Sequence, residues 1–208
     1  MPLKRAHGHD GLREVKEREH GRDDGGLLLQ LRSGDVEQRR WAARDLLERP
    51  GCAGALGEHL LRETEPSVRE AIFTTLSAMA HDGAAAALLP LLRSEDAELR
   101  NGAIEALAGM PQAVGPRVAG LLRDADPDVR IFTVNLLGEL RHEKVGPWLL
   151  QVLQHEQAVN VVAAALEVLA EVGQPEDAPA IRQAMARFAD EPFLQFAAEA
   201  ALERMSTP

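Results

Sequence analysis

The side chains of this chain that are best suited to chemistry are histidines with an acid beside them. Two His-Glu pairs occur, His142-Glu143 and His155-Glu156, and imidazole and carboxylate groups are common ligands of catalytic divalent metals. One pair falls in a linker and the other in a turn before a helix, so the pairs do not occupy matching places. Because a metal site needs ligands that converge, we expect both pairs to be solvated loop residues. A metal site built on them is the alternative.

The first residues of the chain offer a second set of metal ligands. His7, His9 and Asp10 stand close together in the sequence, with His20 nearby. Imidazole pairs at this spacing are frequent by chance in flexible segments, so we predict no metal site here. Residues 1–25 are rich in Gly, His and charge and hold few apolar residues, which predicts a flexible tail.

Other catalytic signatures are missing from the sequence. It contains no Gly-rich phosphate-binding loop, no nucleophile elbow and no reactive cysteine motif. The single cysteine, Cys52, follows Pro50-Gly51 in a linker, and we predict inert packing for it. A lone cysteine cannot form an internal disulfide, which favours a reducing, cytoplasmic compartment. We therefore predict no catalytic residue and no cofactor.

The charge of the chain limits the partners that it can bind. Its formal net charge is −10 over 208 residues, and residues 1–26 hold six basic and six acidic side chains, so the rest of the chain carries the excess of acid. Such a body repels phosphate backbones, and only 3% of the residues are aromatic, so we predict no nucleic-acid partner. No apolar run approaches the roughly 20 residues of a membrane span, and we predict no membrane partner.

A phrase recurs about every thirty residues: an acid, two spacers, an apolar residue and an arginine, followed by apolar residues at helical spacing. Its clearest copies are DAELRNGAIEALAGM from Asp96 and DPDVRIFTVNLLGEL from Asp126. EPSVREAIFTTLSAM from Glu65 and DVEQRRWAARDLLER from Asp35, which has Gln38 at the apolar place, follow them. Two degraded copies begin at Ala158 and Glu191, and successive copies are 30, 31, 30, 32 and 33 residues apart. Self-similarity at a fixed period of this size marks a stacked repeat protein.

Each repeat is predicted to be a pair of antiparallel helices, so the fold class is all-α. In residues 84–109, a first helix runs from Ala84 to Arg93 with Pro90 inside it, and Asp96 caps a second helix that ends near Gly109. One face of that second helix has the apolar spacing of a half-buried helix, at Leu99, Gly102, Ala103, Ala106 and Leu107. Pro and Gly punctuation divides one repeat domain, residues 26–208, into six units with a truncated first one: about 26–50, 51–81, 82–110, 111–141, 142–173 and 174–205.

These elements resemble HEAT-like repeats of the short, phycobilisome-lyase type. The resemblance rests on LLPLL around Pro90 and on the Asp126-Pro127-Asp128-Val129-Arg130 turn, and it covers about residues 26–205. It implies a right-handed α-solenoid of about six helical hairpins, with the second helices on the concave side.

The resemblance also implies a ladder of acids and arginines between successive repeats. By that resemblance, each acid pairs with the arginine four residues later, as Asp35 with Arg39, Glu65 with Arg69, Asp96 with Arg100 and Asp126 with Arg130. The role expected for these residues is structural. Ala158 replaces the acid, and Val162 and Gln195 replace the arginine, in the last two units. We therefore expect the C-terminal third to stack differently.

Some HEAT-like proteins are enzymes, which supplies the competing hypothesis. Hydroxylases of the deoxyhypusine type bind two irons through His-Glu pairs at the starts of second helices in symmetric repeats. The two His-Glu pairs of this chain do not stand at matching repeat positions. For bilin lyase chemistry, the only pointer is the name of the repeat type, which by itself is no evidence. A metal-dependent hydroxylase or a bilin lyase is kept as the alternative function.

The outward face of the second helices is the surface that remains for binding. Ile131, beside Phe132, and Trp148, on a first helix where other units carry Arg117 and Ala87, are predicted to be exposed anchors. Packing of Phe132 between repeats is the other reading of that residue. The predicted partner-binding residues are Arg40, Arg44, Glu70, Thr74, Asn101, Glu105, Ile131, Asn135, Trp148 and Glu167.

The function predicted from these features is that of a non-enzymatic, cytoplasmic, bacterial scaffold or accessory factor that holds a folded protein partner. Extended solenoid surfaces bind through area and a few anchors. The acidic body favours a partner with a basic patch, and salt is expected to weaken binding. Small bacterial HEAT-like proteins also serve in the maturation of metalloenzymes such as nitrogenase, which is a family-level hypothesis here.

Overall fold

The computed structural model describes residues 21–206, and this part of the chain is all-α, as predicted, with no strand. Its helices form six consecutive antiparallel pairs, which match the six predicted units. The bounds are α1 Asp24–Ser33, α2 Val36–Asp45, α3 Ala53–Leu60, α4 Pro66–Met79, α5 Asp82–Leu88, α6 Ala97–Ala108, α7 Pro111–Leu121, α8 Pro127–Glu139, α9 Val145–His155, α10 Val159–Val172, α11 Ala178–Arg187 and α12 Pro192–Ser206. The odd-numbered helices are the first helices of the units and the even-numbered helices are the second.

The units stack in chain order. The second helices pack on one another in the succession α2, α4, α6, α8, α10 and α12, and first helices such as α3 and α5 pack side by side. A buried leucine stands eleven residues after the cap position in five units, namely Leu46, directly after α2, and Leu76, Leu107, Leu137 and Leu169 within the second helices. One apolar core therefore runs through the array, and each unit depends on its neighbours to bury its apolar face.

The second helices begin where the sequence predicted. The Asp96 carboxylate accepts hydrogen bonds from the backbone N–H groups of Glu98 and Leu99, at 2.9 Å and 3.3 Å. Pro66 and Pro127 open α4 and α8 at the first helical position, where the missing N–H costs nothing.

Two local predictions were wrong. The helix expected from Ala84 to Arg93 ends at Leu88, and a 3-10 segment, Leu89–Arg93, follows, because Pro90 has no N–H to continue the α-helical bonding. The first unit is not truncated. Its helix α1 has ten residues, since the Asp23 carboxylate caps it by accepting from the Gly26 N–H at 2.9 Å.

Two predictions on the start of the chain lie outside the description. Residues 1–20 are not among the described residues, so most of the predicted tail, residues 1–25, is untested, as is the chelating set of His7, His9, Asp10 and His20. Within residues 21–206, no helix has both the length and the apolar character that crossing a membrane would require.

Candidate functional site: a groove between two second helices

The turn before each of four second helices, α4, α6, α8 and α10, carries a polar side chain that the sequence analysis missed. It stands two residues before the cap position. The cap position holds the acid that begins the recurring phrase, or the residue that replaces this acid. Its oxygen accepts the backbone N–H of the cap residue in four turns: Glu63 from Glu65 at 3.0 Å, Ser94 from Asp96 at 3.2 Å, Asp124 from Asp126 at 3.0 Å and Glu156 from Ala158 at 2.8 Å. The signal was present in the sequence, because every one of these turns has Ser, Asp or Glu there.

In three repeats the arginine closes the same turn from the other side. Arg69, Arg100 and Arg130 each donate to the main-chain carbonyl of the residue six positions earlier, at 2.7–2.8 Å. In the last unit, Gln195 takes over this task and donates to the carbonyls of Met185 and Phe188, each at 2.9 Å. The replacement of Arg by Gln therefore preserves the closure of the turn.

The arginines pair with the next unit. Arg39 lies 2.8 Å from Glu63, Arg69 lies 3.0 Å from Asp96, and Arg130 lies 2.7 Å from Glu156. The pairing of Glu65, Asp96 and Asp126 with the arginine of their own unit, Arg69, Arg100 and Arg130, was therefore wrong. Asp96 and Asp126 are turned to the start of their helix, where they accept backbone N–H groups, and Asp35 likewise accepts the Gln38 N–H at 2.8 Å. The guanidinium groups extend instead to the turn of the following unit.

Arginines also bridge the two remaining junctions. Between units 3 and 4, Arg93 pairs with Asp124, and the Arg100 guanidinium lies 4.4 Å from the centre of the Phe132 ring. Between units 5 and 6, Arg187 donates to the main-chain carbonyls of Gln154 and Glu156. The arginine that reaches the turn of unit 5 thus comes from a first helix, because Val162 occupies the ladder position of unit 5 and is buried. Arg204 of α12 also lies 3.9 Å from Glu171 of α10.

The most enclosed of these bridges is centred on Glu63. This carboxylate is only 4% exposed, and it accepts from Arg39 and from His59 Nε2, at 2.8–3.0 Å. Burial would raise the pKa of Glu63, but hydrogen bonds from Arg39, from the Glu65 backbone and from His59 outweigh it and lower the pKa to about 2. Burial lowers the pKa of His59, and the hydrogen bond to Glu63 only partly offsets this effect. Glu63 is therefore an ionised carboxylate that links units 1 and 2.

The ladder holds α4 and α6 side by side with a groove of about 900 Å³ between them. Four of the predicted partner-binding residues line this groove and are exposed: Glu70, Thr74, Asn101 and Glu105. The half-buried Phe73 ring lies at the groove, and so do Gly102, Ala106 and Gly109 of α6. The sequence therefore located the residues of this surface, while their convergence on one groove came from the packing of α4 on α6.

Two glycines explain why the helices approach so closely here. A Cβ atom on Gly102 would lie 2.4 Å from Cε2 of Phe73, and one on Gly109 would lie 2.3 Å from Oγ of Ser77. Both distances are far below van der Waals contact. The side chains of α4 therefore pack against small residues at α6. The longer side chains on either side form the walls of the groove.

The walls of the groove are acidic. The side chains of Glu70 and Glu105 are exposed and take part in no hydrogen bond or ion pair with any other residue of the described part. Glu98 shares Arg69 with Asp96, at 3.3 Å and 3.0 Å. The groove therefore combines an aromatic side chain with two carboxylates that are free to meet a cation.

Three of the other surface predictions were wrong or need correction. Trp148 was expected to be an exposed anchor, but it is only 8% exposed, because its ring packs on His142, 4.8 Å away between ring centres, on the inner side of α9. Ile131 is half-buried and packs against the core. Beside it, Phe132 lies under the Arg100 guanidinium, which agrees with the other reading of that residue, packing between repeats. Arg40 is half-buried, whereas Arg44, Asn135 and Glu167 are exposed as predicted.

The candidate metal ligands have other contacts. His142 packs on Trp148, and its Nδ1 accepts the Lys144 N–H at 3.1 Å. Glu156 holds Arg130, and burial, which alone would raise the pKa of Glu156, is outweighed by that guanidinium. Among residues 21–206, no three His, Cys, Asp or Glu side chains stand close enough together to hold a metal ion. Cys52 is buried, and that burial raises its pKa.

Solved repeat proteins resemble this chain. An engineered protein is 23% identical, covering 86% of this chain and 94% of its own with a TM-score of 0.40. A designed armadillo repeat protein in complex with the peptide (KR)4 is 20% identical, covering 86% and 98%, with a TM-score of 0.42. The complex of CpcE and CpcF of phycocyanin lyase from Nostoc is 17% identical, covering 91% and 99%, with a TM-score of 0.31.

The family is shown by the sequence itself. The comparison with curated proteins gave no match. The family model described as HEAT repeats matches residues 26–108 and 115–203, which include helices of all six units. With arginine-bridged helical hairpins along its described length, the chain belongs to the HEAT repeat family.

Proposed function

We propose that this chain is a protein-binding scaffold that holds a folded partner through a basic patch seated in the groove between α4 and α6. The observation that carries the proposal is the pair of unpartnered carboxylates, Glu70 and Glu105, beside the half-buried ring of Phe73. A guanidinium or ammonium group that enters the groove would meet both carboxylates, and its aliphatic stem would pack on the ring. Arginine suits this groove best, because its planar guanidinium group can stack on the face of an aromatic ring such as that of Phe73.

The whole-chain charge supports the same partner. A formal net charge of −10 attracts a basic surface over a distance and raises the rate of encounter, an effect that falls with ionic strength. The carboxylates of Glu70 and Glu105 then determine where on this chain the basic surface binds. Binding by this mechanism is expected to be strong at low salt and to weaken steadily as salt is added.

The proposed role is binding and includes no catalysis. The acids with lowered pKa, among them Glu63, Asp124 and Glu156, are occupied by arginines at unit junctions. This supports a structural task for them. The maturation of a metalloenzyme such as nitrogenase remains a hypothesis, and no described residue of this chain argues for it.

The proposal is tested by the binding of a fluorescently labelled Arg-rich peptide, with its Glu-for-Arg counterpart as the comparison. Fluorescence anisotropy measures the affinity of wild type, of Glu70→Lys/Glu105→Lys, and of the matched control Glu58→Lys/Glu176→Lys. The control changes the net charge equally, at exposed acids away from the groove. We expect the groove variant to bind about tenfold more weakly, since rim charge pairs contribute roughly 0.2–1 kcal/mol each and reversal adds repulsion.

The control decides between the groove and the overall charge. If both double variants lose the same affinity, the peptide is held by net charge and the groove is not the site. The enzyme alternative has its own test, which is metal analysis of untagged protein. Stoichiometric iron that disappears when His142 and His155 are changed to Ala would favour the hydroxylase, and a coloured adduct with bilin would favour the lyase.

A further inference from the structure

The last helix carries two phenylalanines in an unusual place. Phe193 is 59% exposed and Phe196 is 70% exposed. They are one helical turn apart on α12, so they lie side by side. The other phenylalanines of the chain, and both tryptophans, are half-buried or buried. A pair of adjacent exposed aromatic rings in a chain with so few aromatics indicates a contact surface.

The register of the repeats puts this pair on the same face as the groove. Counted from the cap position of each second helix, Phe196 corresponds to Glu70 and Asn101, which line the groove. Phe193 corresponds to Glu98, which also lines it. The outward face of the second helices is therefore acidic in units 2 and 3 and aromatic in unit 6.

The pair does not lie on the surface through which units stack. Phe73 reaches the following unit at Gly102, and Ser77 reaches it at Gly109. In the last unit, the residues that correspond to Phe73 and Ser77 are Glu199 and Glu203. Charged residues at these two places do not suit the stacking of a further unit, so a unit stacked end to end is not the natural occupant of the phenylalanines.

The area of the pair also argues against a dimer. Two aromatic side chains of this exposure present roughly 250 Å², whereas a stable interface buries about 800 Å² on each partner. Asp190, Glu191 and Glu199 surround the pair and are exposed, and they would repel a second copy of themselves. The patch has the size of one anchor in a larger interface with a partner that is not acidic.

We infer that the partner binds at two points, with a basic cluster in the groove and an apolar cluster on Phe193 and Phe196. This inference rests on the proposed function of the groove. Three steps of about 10 Å between neighbouring helices separate α6 from α12, so the two clusters stand roughly 30 Å apart. A helix of about 20 residues has this length. The occupant is accordingly a helix of the partner protein, basic at one end and apolar at the other.

The inference is tested with two synthetic peptides. One is an Ala-based helix of that length with Arg in its first turns and Leu and Phe in its last turns, and the other is its basic half alone. Titration calorimetry with wild type is expected to show the long peptide binding about tenfold more tightly than the basic half. Phe193→Ser/Phe196→Ser is expected to abolish this gain and to leave the affinity for the basic half unchanged.

A matched control and the remaining outcomes complete the design. Leu61→Ser removes an apolar side chain that is 66% exposed at the end of a first helix, and it is expected to keep the gain. The inference is overturned if the double Phe variant binds the long peptide as wild type does, or if Leu61→Ser loses the gain equally. It is also overturned if wild type sediments as a dimer that the double Phe variant dissociates. If the long peptide needs the phenylalanines while the basic half fails to bind, the groove proposal falls and the aromatic anchor stands.

Discussion

Arg39 and Glu63 form a bidentate ion pair across the junction between the first two units, with distances of 2.8 Å and 3.0 Å. The carboxylate is almost completely buried, and the guanidinium also donates to the Gly34 carbonyl at 2.9 Å. A buried pair of this kind adds little when compared with an apolar pair of the same shape, but it is costly to break on one side. The relationship therefore makes the first unit dependent on the second.

Arg39→Met should lower the free energy of unfolding by about 3 kcal/mol, because the Glu63 carboxylate would stay buried without its cation. Urea unfolding followed by circular dichroism measures the effect. Arg32→Met is the control, since Arg32 is exposed on α1 and its loss should change the free energy of unfolding by less than about 0.5 kcal/mol. Equal midpoints for the two variants would show that the ion pair is dispensable.

Stability should fall in acid through Glu63. The pKa of this carboxyl is lowered from 4.5 to about 2 in the folded chain, so the folded state favours the ionised form. The stabilisation is present above the unfolded pKa and is lost as the pH falls from 4.5 towards 2, and it amounts to roughly 3 kcal/mol. We expect the difference in urea midpoint between wild type and Glu63→Gln to shrink over this range. A difference that stays constant from neutral pH to pH 2 would contradict the assignment.

Gly102→Ala should destabilise the packing of α4 on α6. The new Cβ would lie 2.4 Å from the Phe73 ring, and overpacking of this kind costs about 1–3 kcal/mol. Phe73→Leu in the same chain should recover part of the loss, which a double-mutant cycle would measure. Gly120→Ala is the control, because a Cβ there meets no atom within 4 Å and alanine is the better helix former. A Gly102→Ala variant as stable as the control would mean that the ring moves aside freely.

Arg187→Met should loosen the last unit without unfolding the rest. Arg187 donates to the Gln154 and Glu156 carbonyls at the end of α9, and each such bond contributes about 1 kcal/mol. Hydrogen exchange should become faster in α11 and α12 and remain unchanged in α4 and α6. Arg182→Met, at an exposed arginine of the same helix, should change neither. Faster exchange along the whole array would indicate that the units do not respond locally.

Most predictions that concern a single helix succeeded, although the extents of α1 and α5 were mispredicted. Asp96 and Pro127 mark helix starts through bonds within a single turn, so their meaning can be read locally. The predicted exposure of Glu70 and Glu105 was right for the same reason, since helical periodicity sets which side of α4 and α6 faces outward. Glu63 was missed, although a polar residue two places before the cap position recurs in four turns.

The other errors concern side chains that contact residues beyond their own helix. Trp148 was assigned to the surface by comparison with Arg117, yet its ring is buried against His142. Arg130 was assigned to Asp126, yet its guanidinium reaches Glu156 of the next unit. Whether a side chain meets its neighbour depends on the offset and rotation between adjacent hairpins, which a single repeat does not contain.

The residue pattern alone was enough to establish six stacked helical hairpins, because caps and apolar periodicity act within about ten residues and recur at a regular period. The stacking of the helices settled the rest. The stacking determines which acid each arginine binds, and it buries the side chain of Trp148. It also brings Glu70, Phe73 and Glu105 to one groove. The physical reason is that side chains reach several ångströms beyond their own helix, so their partners are chosen by the distance and angle between packed units.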